Sequence, residues 1–226
     1  MKDVLFYEKV IRKSPLFCGM TAEDIRKAVA LFGGEIKKYP KGEMLHLPMT
    51  AFARFGFVLS GKVHACCDDI DGNRMIMADV SEGVTFGESL CFLGIKDSPV
   101  YVYASEDSVV LWLSADVLFD GGTDGTVPGL QRRFASLLAS RTLAMNSRIQ
   151  ILSKKTIREK LTVYFGELSS ACGKDVFEIP MNREDMASYI GADRAAMSRE
   201  LSRMKRDGII DYHKNTVRLI RKIGEQ

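Results

Sequence analysis

The sequence predicts an α+β fold: a small antiparallel β-barrel, one long helix, and a compact module of short helices closed by a hairpin. Three observations carry that expectation. Between Gly33 and Leu113 short β-rich runs alternate with glycine-bearing turns, and no helical stretch there is long enough for the crossover a parallel sheet needs. From Pro128 to about Ser153 apolar residues recur at helical spacing. Beyond Thr156 the helical period continues in short, individually capped segments and ends in a strand–turn–strand pattern.

Residues 1–31 read as short amphipathic helices. Val4, Leu5, Val10 and Ile11 share one apolar side, and Thr21 caps a second helix with Glu23 and Asp24 in its first turn and Ile25, Ala28 and Val29 inward. Strands are expected at residues 44–47, 55–59, 62–66, 74–80, 100–104 and 109–113. Pro40-Lys41-Gly42, Ser60-Gly61, Asp71-Gly72-Asn73, Glu82-Gly83 and Glu106-Asp107 supply the turns. Short strands at such regular spacing indicate a jelly-roll barrel, whose interior can hold a small ligand.

After the Gly/Asp-rich break at residues 120–125, Pro128 opens the long helix. Leu130, Leu137, Ala144 and Ile151 recur every seven residues, and Leu138, Met145 and Leu152 fill the neighbouring column. A seam this wide is expected to be covered by the same helix of a second copy, making a homodimer. The competing expectation, a helix buried against its own chain, draws on Arg141 and Arg148, which interrupt the seam. The chain therefore divides into a barrel domain with its N-terminal helices (1–126), a dimerising helix (127–154) and a C-terminal module (155–226).

In that module residues 156–171 form a helix with Ile157, Leu161, Tyr164, Phe165 and Leu168 on one face, ended by Gly173, and residues 176–179 form a strand. Asn182 caps a helix with Asp185 at its third position and Met186, Ala187 and Ile190 inward. Gly191 turns the chain, and Asp193 caps another helix with Met197, Leu201 and Met204 inward and Arg194, Ser198, Arg199, Ser202 and Arg203 outward. Between Arg194 and Arg206 there are five bases and one acid. Beyond Gly208, residues 209–220 read as strand, tight turn, strand. Two capped helices about a glycine, the second basic outside, followed by a hairpin, meet the requirements of a winged helix-turn-helix that lays one helix in the DNA major groove. Arginines near the start of that helix can fork onto guanine, while Arg183 and Lys214 are placed for phosphates.

Composition narrows the alternatives. With 226 residues, 46% hydrophobic and 27% charged, the chain is neither disordered nor collagen-like. No run approaches the roughly 18 to 20 apolar residues of a membrane span. Charges at positions 2, 3, 8 and 9 occupy the place of a secretory core, so a cytoplasmic protein with no membrane partner is expected. The net +3 is unevenly spread. Residues 1–126 hold 13 Lys+Arg against 18 Asp+Glu, or −5; residues 127–154 carry +5 with no acid; residues 155–226 hold 14 against 11, or +3. An acidic front joined to a basic back suits a polyanion gripped by one end. Cysteines at 18, 66, 67, 91 and 172 include no CxxC pair and read as reduced, mostly buried thiols. Histidines at 46, 64 and 213 make no cluster on facing strands, so no metal site, no catalytic residue and no enzyme activity are expected.

Against this background the chain resembles the Crp/Fnr transcription regulators over essentially its full length. The resemblance lies in Phe57-Val58-Leu59-Ser60-Gly61-Lys62-Val63 and Gly83-Val84-Thr85-Phe86-Gly87-Glu88 in the barrel, and in Asn182-Arg183-Glu184-Asp185-Met186-Ala187-Ser188-Tyr189-Ile190-Gly191 and Met197-Ser198-Arg199-Glu200-Leu201 in the module. It implies a double-stranded β-helix sensor barrel, a dimerising helix and a winged-helix reader of double-stranded DNA. Such a protein binds a palindromic operator, answers to a small-molecule effector in its barrel, and engages RNA polymerase if it is an activator. The other reading is a barrel-type ligand sensor with no direct transcriptional role.

Departures from the family pattern sharpen the expectation. In cyclic-AMP-binding members the barrel Gly-Glu is followed by an Arg-Ser pair that holds the cyclic phosphate; counted from Gly87-Glu88, those places are Ser98 and Pro99 here. With no cation and no N–H at Pro99, cyclic AMP is not expected in the family's mode. The effector region is expected around Phe86, Gly87, Glu88, Ser89 and Leu90, with Ser98, Pro99 and Tyr101, facing Thr142 and Met145 of the helix. Its apolar, aromatic character, in Phe86, Phe92 and Tyr101, favours an uncharged or aromatic ligand over a phosphorylated one. The oxygen-sensing branch builds an iron–sulfur cluster on cysteines mostly near the N-terminus, where only Cys18 lies here, so none is expected. His46 and His64 leave a haem ligand open. The family's Glu-x-x-Ser-Arg reads Ala195-x-x-Ser198-Arg199: the Ser-Arg half is kept, but the carboxylate for a cytosine amino group is lost, and Ala195 can instead touch a thymine methyl.

Overall fold

Residues 55–60 and 108–113 are almost continuously apolar because both faces of these strands are covered, one by helices and the other by a second sheet. The computed structural model describes residues 2–68, 70–71, 74–119 and 129–220. The expected break at 120–125, the Pro128 start and the Gly72-Asn73 turn lie outside the described residues. Two compact units, residues 1–140 and 141–226, divide the chain within the long helix.

In the first unit, β1 (Glu35–Tyr39), β8 (Ser108–Leu113), β3 (Phe55–Ser60) and β6 (Thr85–Phe86) form one antiparallel sheet in that order. β2 (Met44–His46), β7 (Tyr101–Ala104), β4 (Lys62–Asp68) and β5 (Arg74–Ser81) form the other. Val58, Val63, Val80, Phe86, Val102, Val110 and Trp112 fill the barrel interior. Gly56 pairs with Phe86 across the sheet, and the Phe86 ring folds over it so closely that any side chain there would overlap the ring. Phe86 meets Trp112 edge to face at 5.4 Å, and the indole N–H donates to the Tyr39 hydroxyl at 2.8 Å.

On the outer face of the first sheet, Phe55, Phe57, Leu59, Leu111 and Leu113 pack against the helices. These are α1 (Glu8–Ile11), which follows a 3₁₀ turn, α2 (Ala22–Leu31) and the first turns of α4 (Leu130–Leu152); α3 (Glu88–Phe92) is a short helix after β6. Thr21 closes the expected capping box: its hydroxyl accepts from the Asp24 N–H at 3.1 Å, and the Asp24 carboxylate accepts from the Thr21 N–H at 3.3 Å.

Three expectations need correction here. Tyr101 alternates with Val102 on β7, and since Val102 points into the barrel, Tyr101 points away from it. Its hydroxyl donates to Asp68 at 2.7 Å and accepts from Arg74 Nε at 3.2 Å, so it does not belong to the effector region. Among the thiols only Cys66 is buried, while Cys18 and Cys172 are exposed. The heptad column Leu130, Leu137, Ala144, Ile151 is not an open seam: Leu130 and Leu137 are buried in the first unit's core and Ile151 in the second's. The outward apolar side chains are instead Met145, Ile149 and Leu152, at 65%, 60% and 42% exposure, together with Leu143 at 69%, while Leu138 is half-buried against the first unit's core.

The second unit continues with α5 (Ile157–Cys172), β9 (Val176–Glu178), α6 (Arg183–Tyr189), α7 (Arg194–Arg206), β10 (Ile210–His213) and β11 (Thr216–Leu219), the strands ordered β10-β11-β9. Leu161, Phe165, Phe177, Met186, Ile190, Met197, Leu201 and Met204 form its core. Within that core the Tyr164 hydroxyl has no hydrogen-bond partner among the described residues, and burial pushes its pKa up to about 12. A raised pKa means that the folded state favours the neutral phenol. That contribution is complete below pH 10 and is lost as pH rises toward 12, about 3 kcal/mol in all. Urea titrations followed by circular dichroism are expected to show the second unit losing stability steeply between those values. Tyr164→Phe is expected to flatten that dependence and to cost nothing at pH 7, since the hydroxyl it removes makes no bond.

Candidate nucleic-acid interface

Local chemistry explains how α7 is presented. Asn182 Oδ1 accepts from the N–H groups of Glu184 and Asp185, both at 2.9 Å, which starts α6. Gly191 takes φ +60°, and a Cβ there would come within 2.9 Å of Leu152, so both the turn and its packing require glycine. Asp193 Oδ1 then accepts from the Ala196 N–H at 2.8 Å, starting α7.

With Met197, Leu201 and Met204 buried, the helical period leaves Arg194, Ala195, Ser198, Arg199, Ser202 and Arg203 exposed. The guanidinium groups of Arg194 and Arg199 make no ion pair or hydrogen bond among the described residues, whereas Arg203 lies 3.4 Å from Glu200. Ser198 Oγ donates to the Arg194 carbonyl at 2.9 Å, and Ser202 Oγ to the Ser198 carbonyl at 3.0 Å.

The β10–β11 hairpin is tied to both helices. Lys205 Nζ lies 2.6 Å from Asp211 and donates to the Tyr212 carbonyl at 3.3 Å. Lys214 sits at the tip with φ +52° and an exposed side chain. Arg183, expected to face phosphates, is instead half-buried: Nη2 donates to the Lys214 carbonyl at 2.7 Å, and the guanidinium packs over the Tyr212 ring at 5.3 Å. Burial lowers its pKa. The hairpin's own carbonyl needs a donor, and Arg183 supplies it, so this arginine braces the wing.

In the barrel the expected effector residues are gathered only in part. Phe86 is interior; Gly87 (φ +74°) caps α3 with the Phe52 ring against it; Glu88 and Ser98 are buried. Ser98 Oγ accepts from the Val100 N–H at 3.3 Å, and its carbonyl accepts from the Met49 N–H at 2.7 Å. Ser89 and Pro99 are exposed and Leu90 is half-buried, while Thr142 and Met145 belong to the second unit, both exposed. A cleft of about 360 Å³ in the first unit, lined by Phe92, Leu118, Gln131, Phe134, Ala135 and Leu138, shares only Phe92 with the expected region. Its walls come from three separate segments, which no local pattern joins. Both barrel histidines engage protein groups: His46 stacks on Phe52, and His64 Nδ1 lies 3.0 Å from the Tyr103 hydroxyl. Among the described residues no three His, Cys, Asp or Glu side chains gather as a metal site, and no helix is long and apolar enough to cross a membrane.

Residues 132–222 match the Crp-like helix-turn-helix domain, and residues 36–120 match the cyclic nucleotide-binding domain. The chain is 26% identical over 132 residues to electron transport regulator A of Shewanella oneidensis, a match covering 55% of this chain and 52% of that protein. It is 29% identical over 92 residues to transcriptional activator protein FnrL of Cereibacter sphaeroides, covering 37% of each. These two matches thus span about half or less of the relatives' length. The fumarate and nitrate reduction regulatory protein of Vibrio cholerae is 24% identical over 208 residues, 88% of this chain and 71% of that protein. Among solved structures, CprK complexed with OCPA shares the fold at TM-score 0.62 and 19% identity, covering 89% of this chain and 91% of the other. The catabolite activator protein of Thermus thermophilus does so at TM-score 0.51 and 23% identity, covering 91% and 93%.

Proposed function

The chain belongs to the Crp/Fnr family of transcription regulators, and from that premise we propose that it acts in the cytoplasm as a homodimeric, sequence-specific DNA-binding regulator whose N-terminal unit receives a small-molecule effector. The observation that carries this reading is the outward row of α7, where the Arg194 and Arg199 guanidinium groups stand without a partner among the described residues. Arg199, with Arg194, forks onto guanine edges, Ala195 meets a thymine methyl, and Arg203 and Lys214 meet phosphates. The exposed Met145, Ile149 and Leu152 of α4 join the two copies.

The effector is an uncharged or aromatic molecule, since Ser98 and Pro99 offer no cation to a cyclic phosphate. It shifts the dimer between binding-competent and incompetent arrangements with about 1 to 3 kcal/mol of coupling. RNA polymerase is the further partner where the protein activates. Selection from a random-sequence duplex library tests the reading. The enriched sites are expected to be palindromes with half-sites about one helical turn apart, bound with a steep salt dependence. A library from which no sequence is retained would leave a ligand sensor without a transcriptional role as the better description.

A further inference from the structure

α7 carries one acidic residue, Glu200, on a helix otherwise rich in arginine. Facing a polyanion, a free carboxylate there both repels phosphate and competes for its neighbours, and Arg203 already lies 3.4 Å away. Arg158, in the first turn of α5, reaches across to it: Nε lies 2.5 Å from Glu200 Oε1 and Nη2 lies 2.8 Å from Asp207 Oδ2. One planar guanidinium thus bridges two carboxylates seven residues apart, one inside α7 and one at its C-cap. The Glu200 side chain is drawn in to 13% exposure, while Arg203 stays 63% exposed. The two carboxylates, Glu200 first, in turn raise the Arg158 pKa.

We propose that Arg158 is a positioning residue for DNA binding: by holding Glu200 and Asp207 against α5 it keeps the only carboxylate of α7 away from the phosphates and leaves Arg203 able to meet them. The inference rests on the reading that α7 faces DNA. Without Arg158, Glu200 turns outward and pairs fully with Arg203, and a phosphate contact is lost although no DNA-touching residue has changed.

The test is fluorescence anisotropy with the full chain and a labelled random-sequence duplex of about 30 base pairs, titrated with salt, a probe that needs no knowledge of operator or effector. Arg158→Ala is expected to weaken binding about tenfold and to reduce the slope of log affinity against log salt by about 2, the count of one phosphate contact from each protomer of the dimer. Adding Glu200→Gln is expected to restore affinity to within about twofold, because the competing charge has gone. A purely structural Arg158 would give no such rescue, so persistent weakness in the double variant overturns the proposal, as does wild-type affinity of Arg158→Ala. Should Arg158→Ala melt below the assay temperature, Arg158→Lys serves in its place: it keeps the charge but cannot bridge both carboxylates, and about threefold weakening, again reversed by Glu200→Gln, is expected. The double variant Arg203→Ala, Lys214→Ala, which removes two of the proposed phosphate contacts, separates the two levels. Unchanged binding there defeats the reading of α7 itself, whereas its loss beside an unaffected Arg158→Ala defeats this inference alone.

Discussion

Glutamate at Met145 and Ile149 together is expected to convert the protein to monomers and to weaken operator binding by about a hundredfold to ten-thousandfold. Both side chains stand on the outward row of α4, and both are more than half exposed, an arrangement that a lone helix in water would not keep. When two copies are joined there, the second half-site is engaged intramolecularly at high effective concentration; separated copies lose that term. Neither residue touches either unit's buried core, so each unit should fold as before, with unchanged circular dichroism and melting. Sedimentation velocity reads the oligomeric state, and anisotropy on the selected operator reads the affinity. A variant that sediments as a dimer would place the interface elsewhere.

Arg199→Ala is expected to weaken operator binding by about 5-fold to 150-fold per half-site, the 1 to 3 kcal/mol of one bidentate guanine contact, and to relax sequence preference at one base pair of each half-site. Binding to random duplex should change far less, which distinguishes this residue from Arg158. Arg199→Lys is not expected to recover the preference, because an ammonium cannot present two parallel donors to O6 and N7. Equal losses on operator and random duplex would instead reduce Arg199 to a phosphate contact.

The helix-turn-helix was legible because every device that builds it is local. Asn182 and Asp193 cap within three residues, Gly191 turns in place, and Met197, Leu201 and Met204 mark the inner face by spacing alone. Strands β3 and β8 were legible for their apolar runs. β1 is not legible in the sequence, because Glu35, Lys37 and Lys38 are the exposed residues of an edge strand and only Tyr39 is buried. Tyr101 was misplaced because two adjacent strand residues look alike in sequence yet face opposite ways. Arg183 reads in sequence as a phosphate contact and Arg158 carries no local signal; what they do depends on Lys214 and on Glu200 and Asp207, which lie far away along the chain. The α4 columns were correctly periodic, but periodicity alone does not reveal that Leu130, Leu137 and Ile151 are already covered.

The serines of α7 add a constraint of hydrogen-bond polarity. Ser198 and Ser202 each spend their only proton on a carbonyl of their own helix, at 2.9 and 3.0 Å. What remains on each oxygen is acceptor capacity alone. Held this way, Ser198 can receive a hydrogen bond from the amino edge of adenine or cytosine but has nothing to give to guanine O6 or thymine O4. If α7 lies in the major groove as proposed, this internal bonding would restrict the bases that can stand opposite Ser198.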